Sequence, residues 1–122
     1  MEIIEGAGKW AAPAGGEAND WVEHLAVPAL SVGTYCIPAG GRDTQTPHTE
    51  DEVYVVTSGR ARIATPERSA DVGPGSVIFV PAGDEHRFVD VTEDLALLVV
   101  FGPAYGTQTG VRDGAHAATE SA

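Results

Sequence analysis

Three side chains in this sequence carry the chemistry of a divalent-cation site: His48, Glu52 and His86. His48 and Glu52 stand four residues apart where a polar stretch turns apolar. His86 comes from a second polar stretch that does the same. Two imidazoles and one carboxylate with open positions suit non-haem Fe(II), and also Mn(II), Ni(II) or zinc with bound water. Buried together without a cation, such groups would leave charge and lone pairs uncompensated. A divalent metal held this way keeps a net charge of about one, which favours an anionic ligand such as a carboxylate, enolate or diketonate.

Residues of equal parity share a face of a strand. Thr46, His48, Glu52 and Tyr54 share parity, as do His86 and Phe88. With Val53 and Val55 on one face, Glu52 and Tyr54 line the other. Tyr54 is therefore a candidate acid/base beside the cation. Gln45, in a turn, and Thr46 are candidates for a weak fourth oxygen ligand. Glu50 and Asp51 read as solvated loop carboxylates. Arg60 and Arg62 alternate with Ala61 and Ile63, so the arginines face solvent if the apolar pair faces in.

The elements that position these residues are strands. LSVGTYCI (30–37), EVYVVT (52–57), RARIA (60–64), SVIFV (76–80), HRFVDV (86–91) and LALLVVF (95–101) alternate or run apolar between Gly/Pro turns. Ser58-Gly59 reads as a tight hairpin and Gly73-Pro74-Gly75 as a turn. The continuous apolar run at 95–101 predicts a strand covered on both faces. Residues 19–25 fit either one helical turn capped by Asp20 and Glu23 or a strand. No stretch of 12 or more residues has helical spacing, so the fold class is all-β, a sandwich or barrel. Ile78, Val80, Phe88, Val99 and Phe101 are the expected apolar lining of a ligand cavity.

The spacing of the two polar stretches is specific. Gly40, Thr46, His48, Glu52 and Gly59 form one series, and Gly75, Pro81, Gly83, His86 and Asp90 the other. The pair resembles the two signature motifs of the cupin superfamily, G-x5-H-x-H-x3,4-E-x6-G and G-x5-P-x-G-x2-H-x3-N. All the glycines and the proline agree. Thr46 replaces the first histidine, and Asp90 replaces the asparagine. The resemblance implies a small jelly-roll-like β-barrel with His48, Glu52 and His86 as metal ligands. It also implies a homodimer that exchanges N-terminal segments. Cupins host dioxygenases and Lewis-acid isomerases, cyclases, lyases and decarboxylases, and fold alone does not choose among them. A non-catalytic module that binds or senses a small ligand, with a degenerate metal site, is the alternative.

The chain has 122 residues and a net charge of −11, from seven Lys+Arg and eighteen Asp+Glu. That length suits one domain, divided here into an N-terminal arm (1–19), the barrel (20–104) and a flexible C-terminal tail (105–122) that includes a solvated His116. With no basic run, neither nucleic acid nor an anionic membrane surface is an expected partner. The expected partner is a small anionic or aromatic molecule. Cys36, the only cysteine, sits in an apolar run and reads as a buried hydrophobe. No secretory leader pattern opens the sequence and no apolar run approaches a membrane span, so the expected location is cytoplasmic. No G-x-S-x-G nucleophile motif and no phosphate-cradling glycine loop competes with the metal reading.

Overall fold

The computed structural model describes residues 1–107. Six strands are formed: β1 (Asp20–Val27), β2 (Leu30–Ile37), β3 (Asp51–Ala64), β4 (Ser69–Val72), β5 (Val77–Val80) and β6 (Arg87–Gly102). Helix is absent among the described residues. The strands make one antiparallel sheet in the order β1-β2-β6-β3-β4, with β5 also on β3.

The long strands β3 and β6 form the spine, paired from Asp51↔Gly102 to Ala64↔Arg87. On the other edge of β3, β5 pairs with residues 52–55 and β4 with residues 61–64. The turn between them bonds to the backbone of Val56, through Gly75 N and Ser76 O. The sheet is an all-β barrel wall, with its concave face carrying the core.

That face follows the two-residue period. Tyr35 and Ile37 on β2, Glu52, Tyr54 and Val56 on β3, and Leu95, Leu97, Val99 and Phe101 on β6 are all buried. Each large apolar side chain so buried contributes about 1.5–3 kcal/mol. Ala61 is buried and Ile63 packs against the core, while Arg60 is exposed and Arg62 pairs with Asp71 at 2.6 Å. The arginines therefore lie on the outer face, as the alternation suggests.

The tight hairpin expected at Ser58-Gly59 does not form. Residues on both sides of Gly59 pair with β6, as Val56↔Leu97, Ser58↔Ala96 and Arg60↔Glu93, so the chain runs straight through an irregular, bulged register. Gly59 has φ of +91°, and a Cβ there would lie 2.1 Å from the Asp94 carbonyl oxygen. The glycine thus serves a close strand approach, not a reversal. Similarly, HRFVDV and LALLVVF are parts of one strand, bent at Asp90, whose φ is +49°. Of residues 19–25, which fit a helical turn or a strand by sequence, 20–25 are strand within β1, and β4 is a short strand that no signal in the sequence marks.

The N-terminal arm lies across the outer face of its own sheet. Gly8 N donates to Thr34 Oγ1 at 2.8 Å, Thr57 Oγ1 donates to Gly8 O, and Cys36 Sγ reaches Lys9 O at 3.7 Å. The arm covers Cys36, which is fully buried although it faces outward. The double-sided cover expected for 95–101 holds at Ala96 but lapses at Leu98 and Val100, which are half-buried. At the other end, Tyr105 N donates to Ser31 Oγ at 2.9 Å and Gly106 N to Glu50 Oε2 at 3.0 Å. The rest of the expected tail, with His116, lies outside the described residues.

Candidate metal centre

Glu52 is the second residue of β3 and points inward by strand parity. His48 precedes β3 in a loop with no strand structure, and His86 immediately precedes β6. The two histidine loops are tied together by Gly83 N, which donates to His48 O at 2.6 Å. β3–β6 pairing fixes Glu52 while this tie fixes the histidines against it.

The ligand atoms of His48, Glu52 and His86 all lie within 4.8 Å of one another, and all three residues are buried. His86 Nε2 is 3.1 Å and His48 Nε2 is 3.9 Å from Glu52 Oε1. Bonds of about 2.1 Å to a shared cation place adjacent ligands about 3 Å apart, so the spacing fits. Glu52 is 1% exposed, and neither of its oxygens has a well-aligned hydrogen-bond donor among the described residues. A buried carboxylate left this way costs several kcal/mol unless a cation meets it. His86 Nδ1 lies 2.8 Å from the Asp84 carbonyl, to which only an N–H can bond. That leaves Nε2 with its lone pair toward Glu52 when the ring is neutral, the arrangement of a metal-ligating histidine. The donor set therefore fits a divalent metal.

Electrostatics agree. Burial pushes the His86 imidazole down, but its contacts to Glu52 and to the Asp84 carbonyl, with the charges of Glu52 and Asp43, outweigh this and raise it. The site thus favours positive charge at this ring. Burial, and then the charges of Glu52 and Asp43, push the Tyr54 hydroxyl well above its ordinary range. Tyr54 is fully buried; its hydroxyl donates to Gln45 Oε1 at 2.7 Å and lies 3.0 Å from His86 Nε2.

The two candidates for a fourth oxygen part company. Thr46 is exposed, whereas Gln45 is buried with Oε1 3.1 Å from His48 Nε2. Parity does not extend through residues 41–50, because that segment is not a strand. Glu50, read as solvated, is buried instead; its Oε2 accepts from Thr49 Oγ1 and Gly106 N, each at 3.0 Å. Asp51 is exposed as expected. Sequence reasoning missed Asp43, a buried carboxylate behind Gln45, and Tyr105, whose ring stands edge-on to His48 at 5.4 Å. Neither lies on a periodic stretch, so no spacing pointed to them. Phe101, at 5.1 Å, also meets His48 edge-on.

A cleft of about 480 Å³ opens on the concave face, and His86 lines it. Its walls include Ile63, Val72, Ile78 and Val80 from β3, β4 and β5, with Arg68 as the one arginine or lysine among the described lining residues. The apolar lining expected from Ile78 and Val80 is present there. Phe88, Val99 and Phe101 are packed into the core instead.

The cupin domain family profile matches residues 33–101, which span both histidine loops and the spine that joins them. The chain belongs to the cupin family. An uncharacterized protein of Streptomyces coelicolor, SCO3923, is 48% identical over 88 residues, covering 70% of this chain and 84% of that protein. Among solved structures, the DMSP lyase DddQ from Ruegeria pomeroyi DSS-3 matches with a TM-score of 0.68 at 18% identity, over 90% of this chain and 57% of that one. KdgF from Halomonas sp. matches with a TM-score of 0.64 at 18% identity, over 70% and 79%. At such identities the structural likenesses establish a shared cupin barrel and nothing about substrate.

Proposed function

We propose that this cupin is a metal-dependent enzyme acting on a small organic anion, with His48, Glu52 and His86 as metal ligands and Tyr54 as the proton-transferring group. The observation that carries this reading is Glu52: a buried carboxylate between two imidazoles, with no donor aligned on either oxygen. When bound, Fe(II), Mn(II), Ni(II) or zinc supplies Lewis-acid polarisation and, for a redox-active metal, dioxygen chemistry.

The chain's own residues divide the remaining work. The apolar walls of the cleft exclude water and suit a compact ligand body. Arg68, which makes no side-chain ion pair among the described residues, offers a charge-assisted hydrogen bond to the ligand's anionic group. Tyr54, kept protonated by burial, holds a proton at Oη within the group of ligand atoms. Isomerase, cyclase, lyase, decarboxylase and dioxygenase chemistry all remain compatible with this assembly. Of the fold neighbours, one is a lyase by name, which supports the capacity of the barrel for such chemistry.

A second reading, a non-catalytic binder with a degenerate site, draws on one fact: neither residue 45 nor residue 46 is a histidine. Homodimer formation and a cytoplasmic location belong to the same proposal. The first is supported by Val77 and Phe79, 67% and 60% exposed on β5, and the second by the lone free thiol of Cys36.

The test is metal analysis and metal-dependent melting of chelator-free protein. A metal at a hundredfold excess over its Kd stabilises the fold by about 2.7 kcal/mol. A raised Tm with Fe(II), Mn(II), Ni(II) or zinc is the expected result. Metal-free protein whose Tm ignores all four would sink the enzyme reading.

A further inference from the structure

Asp43 is 3% exposed. Four donors meet its carboxylate. Oδ1 accepts from Tyr35 Oη at 2.8 Å and from Gln45 N at 3.2 Å; Oδ2 accepts from Gln45 Nε2 at 2.5 Å and from Phe88 N at 2.8 Å. These donors come from β2, the histidine loop and β6, so Asp43 is held from three sides.

The consequence falls on the Gln45 amide, whose two ends have opposite hydrogen-bonding sense. An ionised carboxylate only accepts, so the end facing Asp43 is the NH2. The other end is then the oxygen, which accepts from the Tyr54 hydroxyl at 2.7 Å. Gln45 Oε1 lies in a closed ring of polar atoms. Successive spacings are 3.1 Å to His48 Nε2, 3.9 Å on to Glu52 Oε1, 3.1 Å to His86 Nε2, 3.0 Å to Tyr54 Oη and 2.7 Å back to Gln45. A carbonyl oxygen has two lone pairs, so one can accept from Tyr54 while the other faces a cation.

We propose that Gln45 Oε1 is a fourth protein ligand of the metal, and that Asp43 is the positioning residue that points it there. The inference rests on the metal-dependent reading above. It makes the site a two-imidazole, one-carboxylate, one-amide-oxygen centre, with the fourth donor one residue earlier than the exposed Thr46. Asp43 also adds a second buried negative charge near the cation. In Asp43→Asn one side-chain end becomes a donor. Whichever end that is, it opposes a donor of Gln45, the backbone N–H at Oδ1 or the side-chain NH2 at Oδ2, so the Gln45 amide loses its fixed orientation toward the metal.

The experiment uses full-length protein stripped by chelation and titrated with Co(II), whose visible bands report its ligands. Wild type binds Co(II). Gln45→Leu weakens binding about 10–100-fold, the scale of lost support at a metal site, and shifts the bands. Asp43→Asn, with Gln45 intact, shifts the bands in the same direction, and the double variant is no worse than Gln45→Leu alone. Thr46→Ala matches wild type. Gln45→Leu that folds and binds within threefold of wild type with unchanged bands overturns the proposal, as do unchanged bands in Asp43→Asn. Should Gln45→Leu not fold, Gln45→His decides: an imidazole nitrogen in that place must move the bands, and unmoved bands overturn the proposal. Wild type that binds no Co(II), Mn(II), Ni(II) or zinc brings down the metal reading and this inference together. Binding by wild type with a silent Gln45 brings down only this one.

Discussion

His86 Nε2 lies 3.1 Å from Glu52 Oε1, with both side chains buried at the ends of different strands. One comes from the loop before β6 and the other from the start of β3. Their meeting is the relationship on which the chemistry of this cupin turns.

That pair makes the metal-free protein pH-sensitive. His86 is raised above its ordinary value of 6.5 in the folded state. Its contribution to stability is full below about 6.5 and is lost as pH rises through the higher folded value. Calorimetry of stripped protein should show Tm falling across that window, and Glu52→Gln should flatten the fall. Metal binding has the opposite dependence, since it displaces the proton from the ring. A stripped protein whose Tm rises over the same window contradicts the coupling.

Tyr54→Phe keeps the ring that stacks edge-on against Phe88 and removes only the hydroxyl. The loss leaves Gln45 Oε1 without that donor and costs about 1 kcal/mol of stability. Metal affinity should stay within a few-fold. Against a panel of small carboxylates, kcat on any that is turned over should fall about 10²–10⁴-fold with KM little changed. An unchanged kcat removes Tyr54 from the chemistry.

Arg68 is the one arginine or lysine among the described residues that line the cleft. Arg68→Gln should weaken binding of small monocarboxylates to metal-loaded protein about tenfold by calorimetric titration, the effect of one partly exposed charge-assisted contact. Binding of a neutral amide of the same shape should not change. Equal losses for both ligands would mean that the substitution distorts the cleft.

Gly59 and Gly75 both have positive φ, at +91° and +93°. A Cβ at Gly75 meets nothing within 4 Å, whereas one at Gly59 meets the Asp94 backbone at 2.1 Å. Gly75→Ala should therefore cost about 1 kcal/mol, from backbone strain alone. Gly59→Ala should cost more than about 2 kcal/mol, because β3 must also move away from β6. Urea unfolding of the two variants compares them directly, and equal costs would contradict the close approach.

The all-β class, the inward side of β3 and the cupin family were legible in the residues themselves. Alternation is a local property, so Glu52 and Tyr54 could be assigned to one face, and Arg60 and Arg62 to the other, from sequence alone. The spacing of glycines, Pro81, His48, Glu52 and His86 carried the family because each glycine marks a backbone demand that few other residues meet. Where the chain is not a strand, that logic stopped. Parity favoured Thr46 over Gln45 across a loop with no period, and the structure buries Gln45 and exposes Thr46. Ser58-Gly59 has hairpin composition. Whether such a pair reverses or passes through depends on the neighbouring strand, and here both flanks pair with β6. Asp43, Glu50 and Tyr105 show the same limit. Their burial comes from partners that are distant in the chain: Phe88 for Asp43, Gly106 for Glu50, and Trp21, Phe101 and His48 for Tyr105. Sequence by itself determined which residues can face inward and which donors the cation site can draw on. The tertiary structure decided which of them meet, because the orientation of a loop side chain is set by hydrogen bonds across the barrel, not by its neighbours in the chain.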